Sequence, residues 1–195
     1  VLTRFGKWDE MLAQPEPREK NAYLQAMYRY ARGLAFLGKR KTGNALAERE
    51  RMEAMAGRVP EGETLMINAS RDVLAVGLAD LDARISRARG DRKAEIAHWR
   101  RAVELQDRLK YMEPPEWHYS VREALGGALL RNRNADEAEA VFREDLRQNP
   151  RNGRSLFGLL ESLRAQQKDA GVEWVKREFG EAWKNSTLSL AIDDL

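Results

Sequence analysis

Apolar positions recur along most of the chain at the three- and four-residue spacing of one helix face, and glycine, proline and polar clusters interrupt them. Phe5, Trp8, Met11 and Leu12 make a short opening segment, cut off by Pro15 and Pro17. Asn21 is placed to cap a helix carrying Met27, Tyr30, Leu34 and Leu37 on one face. Ala45 to Met55 is highly charged and less regular. A helical pattern then runs from about Leu65 to Ala88, with Val73, Gly77, Leu81 and Ile85 as its stripe. Asp91 is a good N-cap for the next helix, which carries Ile96, Trp99, Val103 and Leu109. Pro114 and Pro115 end that unit. Trp117, Val121, Leu125 and Leu129 then line a helix, and Ala138, Val141, Phe142 and Leu146 line its successor. Asn134 and Glu137 have the spacing of a capping box between the two. Leu156, Leu159, Leu160 and Leu163, followed by Val172, Val175, Phe179 and Trp183, give a final pair. No segment alternates as a strand does. The pattern predicts an all-α chain of about eight helices in four antiparallel pairs, with Ser186 to Leu195 as a short capping helix.

The block Trp117–Pro150 is the most regular. Leu125-Gly126, Leu129, Ala138, Phe142 and Pro150 stand where a tetratricopeptide repeat, about 34 residues long, places its large, small, large, small, aromatic and terminating residues. The chain therefore resembles that family. The match extends with partial spacing to Tyr30, Gly33, Phe36 and Ala45, and more weakly to Leu65–Leu109 and Gly153–Trp183. The resemblance implies one array over 1–195, stacked as a right-handed superhelical solenoid, with units 20–60, 64–111, 115–150 and 153–184 and a cap over 185–195. It also implies that Gly126 and Ala138 let the two helices of a pair cross closely, and that Phe142 fills the space towards the next pair. The stretches RFGKWDEML, YARGLAFLGK, YMEPPEWHYSVREALGGALL, EAEAVFREDL and NGRSLFGL are similar to the C-terminal part of larger microbial tetratricopeptide-repeat proteins. The chain thus reads as a fragment, with more repeats expected upstream.

Composition narrows the chemistry. Net charge is +3, too small to argue for nucleic acid. The basic set Arg84, Arg87, Arg89, Arg92, Lys93, Arg100, Arg101, Arg108 and Lys110 is interspersed with Asp91, Glu95, Glu104 and Asp107, as on a solvated helix face. There are no cysteines, which excludes disulfides and thiolate chemistry. His98 and His118 are the only histidines, and neither has a partner at metal-ligand spacing. No nucleophile-elbow or phosphate-loop pattern is present. The reading is a non-enzyme without cofactor or metal. Without a membrane-length apolar run it is expected to be soluble, the cytoplasm slightly favoured, with an upstream signal left open. Arg89-Gly90-Asp91 is explained by a turn and an N-cap. Of the two glycosylation-type triplets, that at Asn68 falls in a predicted helix, and the other begins at Asn185.

The resemblance places ligands on the concave face, lined by the first helix of each pair. Its exposed positions are expected to include Ser120, Glu123, Gly127 and Arg131, then Arg154, Phe157, Glu161 and Arg164. Tyr30 and Leu34 contribute from the first pair. Partner contact is assigned to Tyr30, Glu123, Arg131, Arg154, Phe157, Glu161 and Arg164. Arginine forks suit carboxylates, and Phe157 or Tyr30 offers an apolar seat, so the expected partner is an acidic or mixed peptide or protein. The competing expectation is a solvated inner face with no ligand, or one covered by the protein's own termini. Two other readings stay open: self-association through an apolar end near Met27, Tyr30 and Leu37, giving a homodimer, and substrate presentation for a catalytic region upstream. Trp174 falls one residue off the Val175–Phe179 stripe and is expected to be exposed.

Overall fold

A computed structural model describes residues 1–195. The chain is all-helical, with nine α-helices: α1 (Trp8–Leu12), α2 (Ala22–Gly38), α3 (Thr42–Ala56), α4 (Ser70–Ala88), α5 (Arg92–Asp107), α6 (Val121–Arg131), α7 (Ala135–Gln148), α8 (Gly153–Ala165) and α9 (Asp169–Trp183). The eight long helices pack as adjacent pairs, α2 with α3, α4 with α5, α6 with α7 and α8 with α9. The sole β feature is an isolated antiparallel bridge between Thr64 and Ala69. Two caps form as the sequence predicts: Asn21 accepts from the Leu24 amide at 2.9 Å, and Asp91 from the Ala94 amide at 3.0 Å.

Four local expectations are corrected. The fourth helix starts at Ser70, not near Leu65. Asn68 is locked both ways to the Lys110 backbone, and Glu116 accepts from the amides of Met66 and Ile67. The backbone there closes a tight loop instead of a helical turn, the Leu65 amide donating to the Asn68 carbonyl and the Ser70 amide to the Glu63 carbonyl. With its amide so engaged and buried, Asn68 is no acceptor for glycosylation in the folded chain. Trp117 precedes α6 instead of riding on it. Asn134 does not cap α7 through its oxygen; its amide donates to Glu137 at 2.7 Å. The final segment forms only a 3₁₀ turn over Ile192–Asp194 and is otherwise irregular.

The chain divides into two compact units, residues 1–119 and 120–195. In the first, α4 also packs on α2 and α3. Small residues set the approach: a methyl group on Gly33 would stand 2.8 Å from the Leu81 side chain, and one on Gly77 would stand 2.9 Å from Trp117 and 3.0 Å from Met52. In the second, the Phe142 ring is fully buried as a wedge between α6 and α8. A methyl group on Gly126 or Gly158 would overlap it, at 2.3 and 2.1 Å from Cζ. The sequence anticipated Gly126 and Ala138, which is fully buried. Gly158 it did not single out.

Candidate interaction site

Glu123, Gly127 and Arg131 recur at four-residue intervals and so share one face of α6. Glu123 is buried, forms an ion pair with Arg154 of α8 at 2.9 Å, and accepts from Asn152 at 2.9 Å. Asn152 also donates to Asp145 of α7 and caps α8 through the Arg154 amide. Asp145 is fully buried and accepts from Asn149 and Ser155 as well. This net fixes the start of α8 against α6 and α7. Glu123 and Arg154 are therefore tied to each other before any partner is considered.

The other end of α6 is occupied by the chain itself. The chain leaves α9 after Trp183, and its end, Ile192 to Leu195, returns to this helix. The Trp183 indole N–H donates to the Leu188 carbonyl at 2.7 Å. Arg131 Nη1 donates to the carbonyls of Ile192 at 3.0 Å and Leu195 at 3.5 Å. Leu195 lies on Gly127, where an added Cβ would be 2.6 Å from the leucine Cβ. Between residues 176 and 195, Leu195 is the only buried position. The Asp194 carboxylate accepts from the Ala191 amide at 2.7 Å, closing the turn that aims Leu195 at its seat.

Phe157 joins this surface from α8. Its ring meets Phe179 at 5.7 Å between centroids, and Phe179 stacks on Trp183 at 5.9 Å. Trp183 covers Gly153 at the start of α8. A continuous aromatic row thus runs from Phe157 to the indole that holds the Leu188 carbonyl. Glu161 and Arg164 form an ion pair at 2.6 Å one turn further along α8, with the Arg164 side chain half exposed. Six of the seven residues expected to meet a partner therefore lie on α6 and α8 of the second unit. The tail on α6 corresponds to the competing expectation of a face covered by the protein's own termini; the residues of its seat were not named in advance. The visible signals were Gly127, a glycine inside a helix, and the leucine that follows Asp193 and Asp194.

Tyr30 lies in the first unit and is buried. Its hydroxyl donates to Asp80 at 2.8 Å, the Tyr119 hydroxyl donates to the same carboxylate oxygen, and Arg84 donates to the other at 2.5 Å. Arg84 also lies over the Trp99 ring at 5.2 Å. Burial, reinforced by the Asp80 charge, pushes both tyrosines well above the ordinary phenol range. They stay protonated and serve as hydrogen-bond donors. Burial pulls the neighbouring His118 below its usual value, partly opposed by Asp80. The cluster satisfies a fully buried carboxylate.

Trp174 is 52% exposed, as expected, and with Arg143, Leu146, Arg147 and Leu159 it lines a shallow groove. No helix is long and apolar enough to cross a membrane.

The fold and this surface define an all-α protein of packed helix pairs with one helical face held by its own tail. Comparison with family models, curated proteins and solved structures finds no match to the chain.

Proposed function

We propose that this chain is a protein-interaction scaffold of the tetratricopeptide type, its helix pairs stacking as a right-handed solenoid. A peptide or protein segment binds on the concave face, lined in residues 120–195 by α6 and α8. The observation that carries this reading is the seating of Ile192 to Leu195 on α6. A short segment with a single 3₁₀ turn is held there through main-chain oxygens by Arg131 and through one apolar side chain by Gly127. Main-chain hydrogen bonds that give affinity, with a pocket for a side chain that gives specificity, are a recurring mode of peptide recognition. Phe157 and the half-exposed Arg164 extend the same surface along α8. Nothing in the reading requires a cofactor, and the buried tyrosine–carboxylate cluster has no part in it.

The test is a photo-crosslinking side chain placed at position 164, with a control at Lys176 on α9, in extract from the source cells. A discrete protein adduct at 164 that is missing at 176 is expected. The same adducts at both positions, or none at 164, would sink the proposal.

A further inference from the structure

We propose that residues 188–195 are an internal pseudo-ligand: the α6 seat takes segments in which an aliphatic residue directly follows an acidic one, and the tail occupies it until such a segment displaces it. This rests on the interaction reading above and names its partner by chemistry.

Three features of the seat define that chemistry. Gly127 leaves a space on α6 that Leu195 fills: the atoms nearest to an added Cβ would be those of Leu195 and the guanidinium of Arg131. Arg131 reads the Ile192 carbonyl, a group that any peptide presents, and reaches the main-chain oxygen of Leu195 at 3.5 Å. Asp194 bonds the Ala191 amide and so shapes the turn that delivers the leucine. An incoming segment therefore needs a carboxylate immediately before its anchoring aliphatic residue. The cation beside the seat is Arg131, since Arg154 and Arg164 are each paired with a glutamate, Glu123 and Glu161.

The tail is built as a displaceable occupant. Leu188 is 66% exposed, and residues 184–191 form no helix. Leu195 alone is buried, with Leu190 and Ile192 partly covered. A tethered segment of this length competes at an effective concentration on the order of millimolar, so removing it should strengthen binding in trans by about tenfold or more.

The probe is a labelled octapeptide of sequence LSLAIDDL, titrated by fluorescence anisotropy into the full chain and two full-length variants. Leu195→Asp abolishes the internal anchor. Leu195→Asp with Gly127→Leu also fills the seat, using a residue that favours helix. Circular dichroism checks that both keep their helical signal. We expect Leu195→Asp to bind the peptide about tenfold tighter than the parent, and the double variant to lose that gain. A peptide ending in Asp instead of Leu should not bind. Equal affinity of parent and Leu195→Asp, or a gain that survives Gly127→Leu, would overturn the pseudo-ligand. Adducts at position 164 without these peptide effects would remove the pseudo-ligand and leave the wider reading standing. The peptide effects without any adduct would do the reverse.

Discussion

At the scale of residues, glycines and one aromatic set the spacing of the second unit. Alanine for glycine inside a helix normally stabilises by roughly 1 kcal/mol. At Gly158 the sign should reverse, because the new methyl group would overlap the Phe142 ring. Gly158→Ala is expected to cost about 1–3 kcal/mol in a urea melt, the usual range for overpacking. Phe142→Leu should recover part of that loss, a coupling that a double-mutant cycle reads directly. In the first unit, Asp80→Ala leaves two tyrosine hydroxyls and the Arg84 guanidinium without their shared acceptor. A loss of about 3–5 kcal/mol is expected, the cost of breaking a buried charged network. An unchanged midpoint would mean that water replaces the carboxylate at little cost. Gly126 and Phe142 were legible from their repeat spacing. Gly158 and Asp80 were not, because neither stands in a local pattern that announces its contact.

At the scale of elements, Glu139 of α7 clamps the turn between α8 and α9. It accepts from Arg143 at 2.8 Å, Gln166 at 2.9 Å and Lys168 at 2.6 Å. Burial works to raise its pKa, but the hydrogen bonds from Lys168, Arg143 and Gln166 outweigh it and hold the carboxyl down to about 2. A depressed carboxyl adds stability above its ordinary value of 4.5, and that stability fades as pH falls towards about 2. With Arg143 and Lys168 half exposed, the contribution is at most ~2 kcal/mol. The parent should therefore lose more stability between pH 6 and pH 3 than Glu139→Gln does, as measured by urea midpoints. Parallel losses would deny the clamp. The tail is an element of another kind. Burying Leu195 contributes about 1.5–3 kcal/mol, whereas ordering each backbone residue costs about 1–2 kcal/mol. Its amides should exchange far faster than those of α6.

At the scale of the whole molecule, each unit carries its own core. Residues 1–119 bury Met52, Val73, Leu74, Leu81, Trp99 and Trp117; residues 120–195 bury Val121, Leu129, Phe142, Leu159, Leu163 and Val175. Each piece expressed separately is expected to keep its helical signal. The shorter one should unfold with the smaller denaturant slope, since less surface is exposed on unfolding. A piece that is unstructured by circular dichroism would contradict the division.

The sequence by itself determined the helices, most of their limits and the caps at Asn21 and Asp91. Those depend on spacing and on side chains within a turn of their targets. It also pointed to α6 and α8 as the face to examine, and to Trp174 as exposed. Only the tertiary structure decided that Leu65–Ala69 is a closed loop and not helix, its backbone bonded across the Thr64–Ala69 bridge and its side held to Lys110 and Glu116, some 40 residues on or more. It also decided that Tyr30 points inward to Asp80, and that Leu195 returns to Gly127 and Arg131. Each of these outcomes rests on partners far apart in the chain. Periodicity reports which face of a helix is apolar, but not which distant group will meet it.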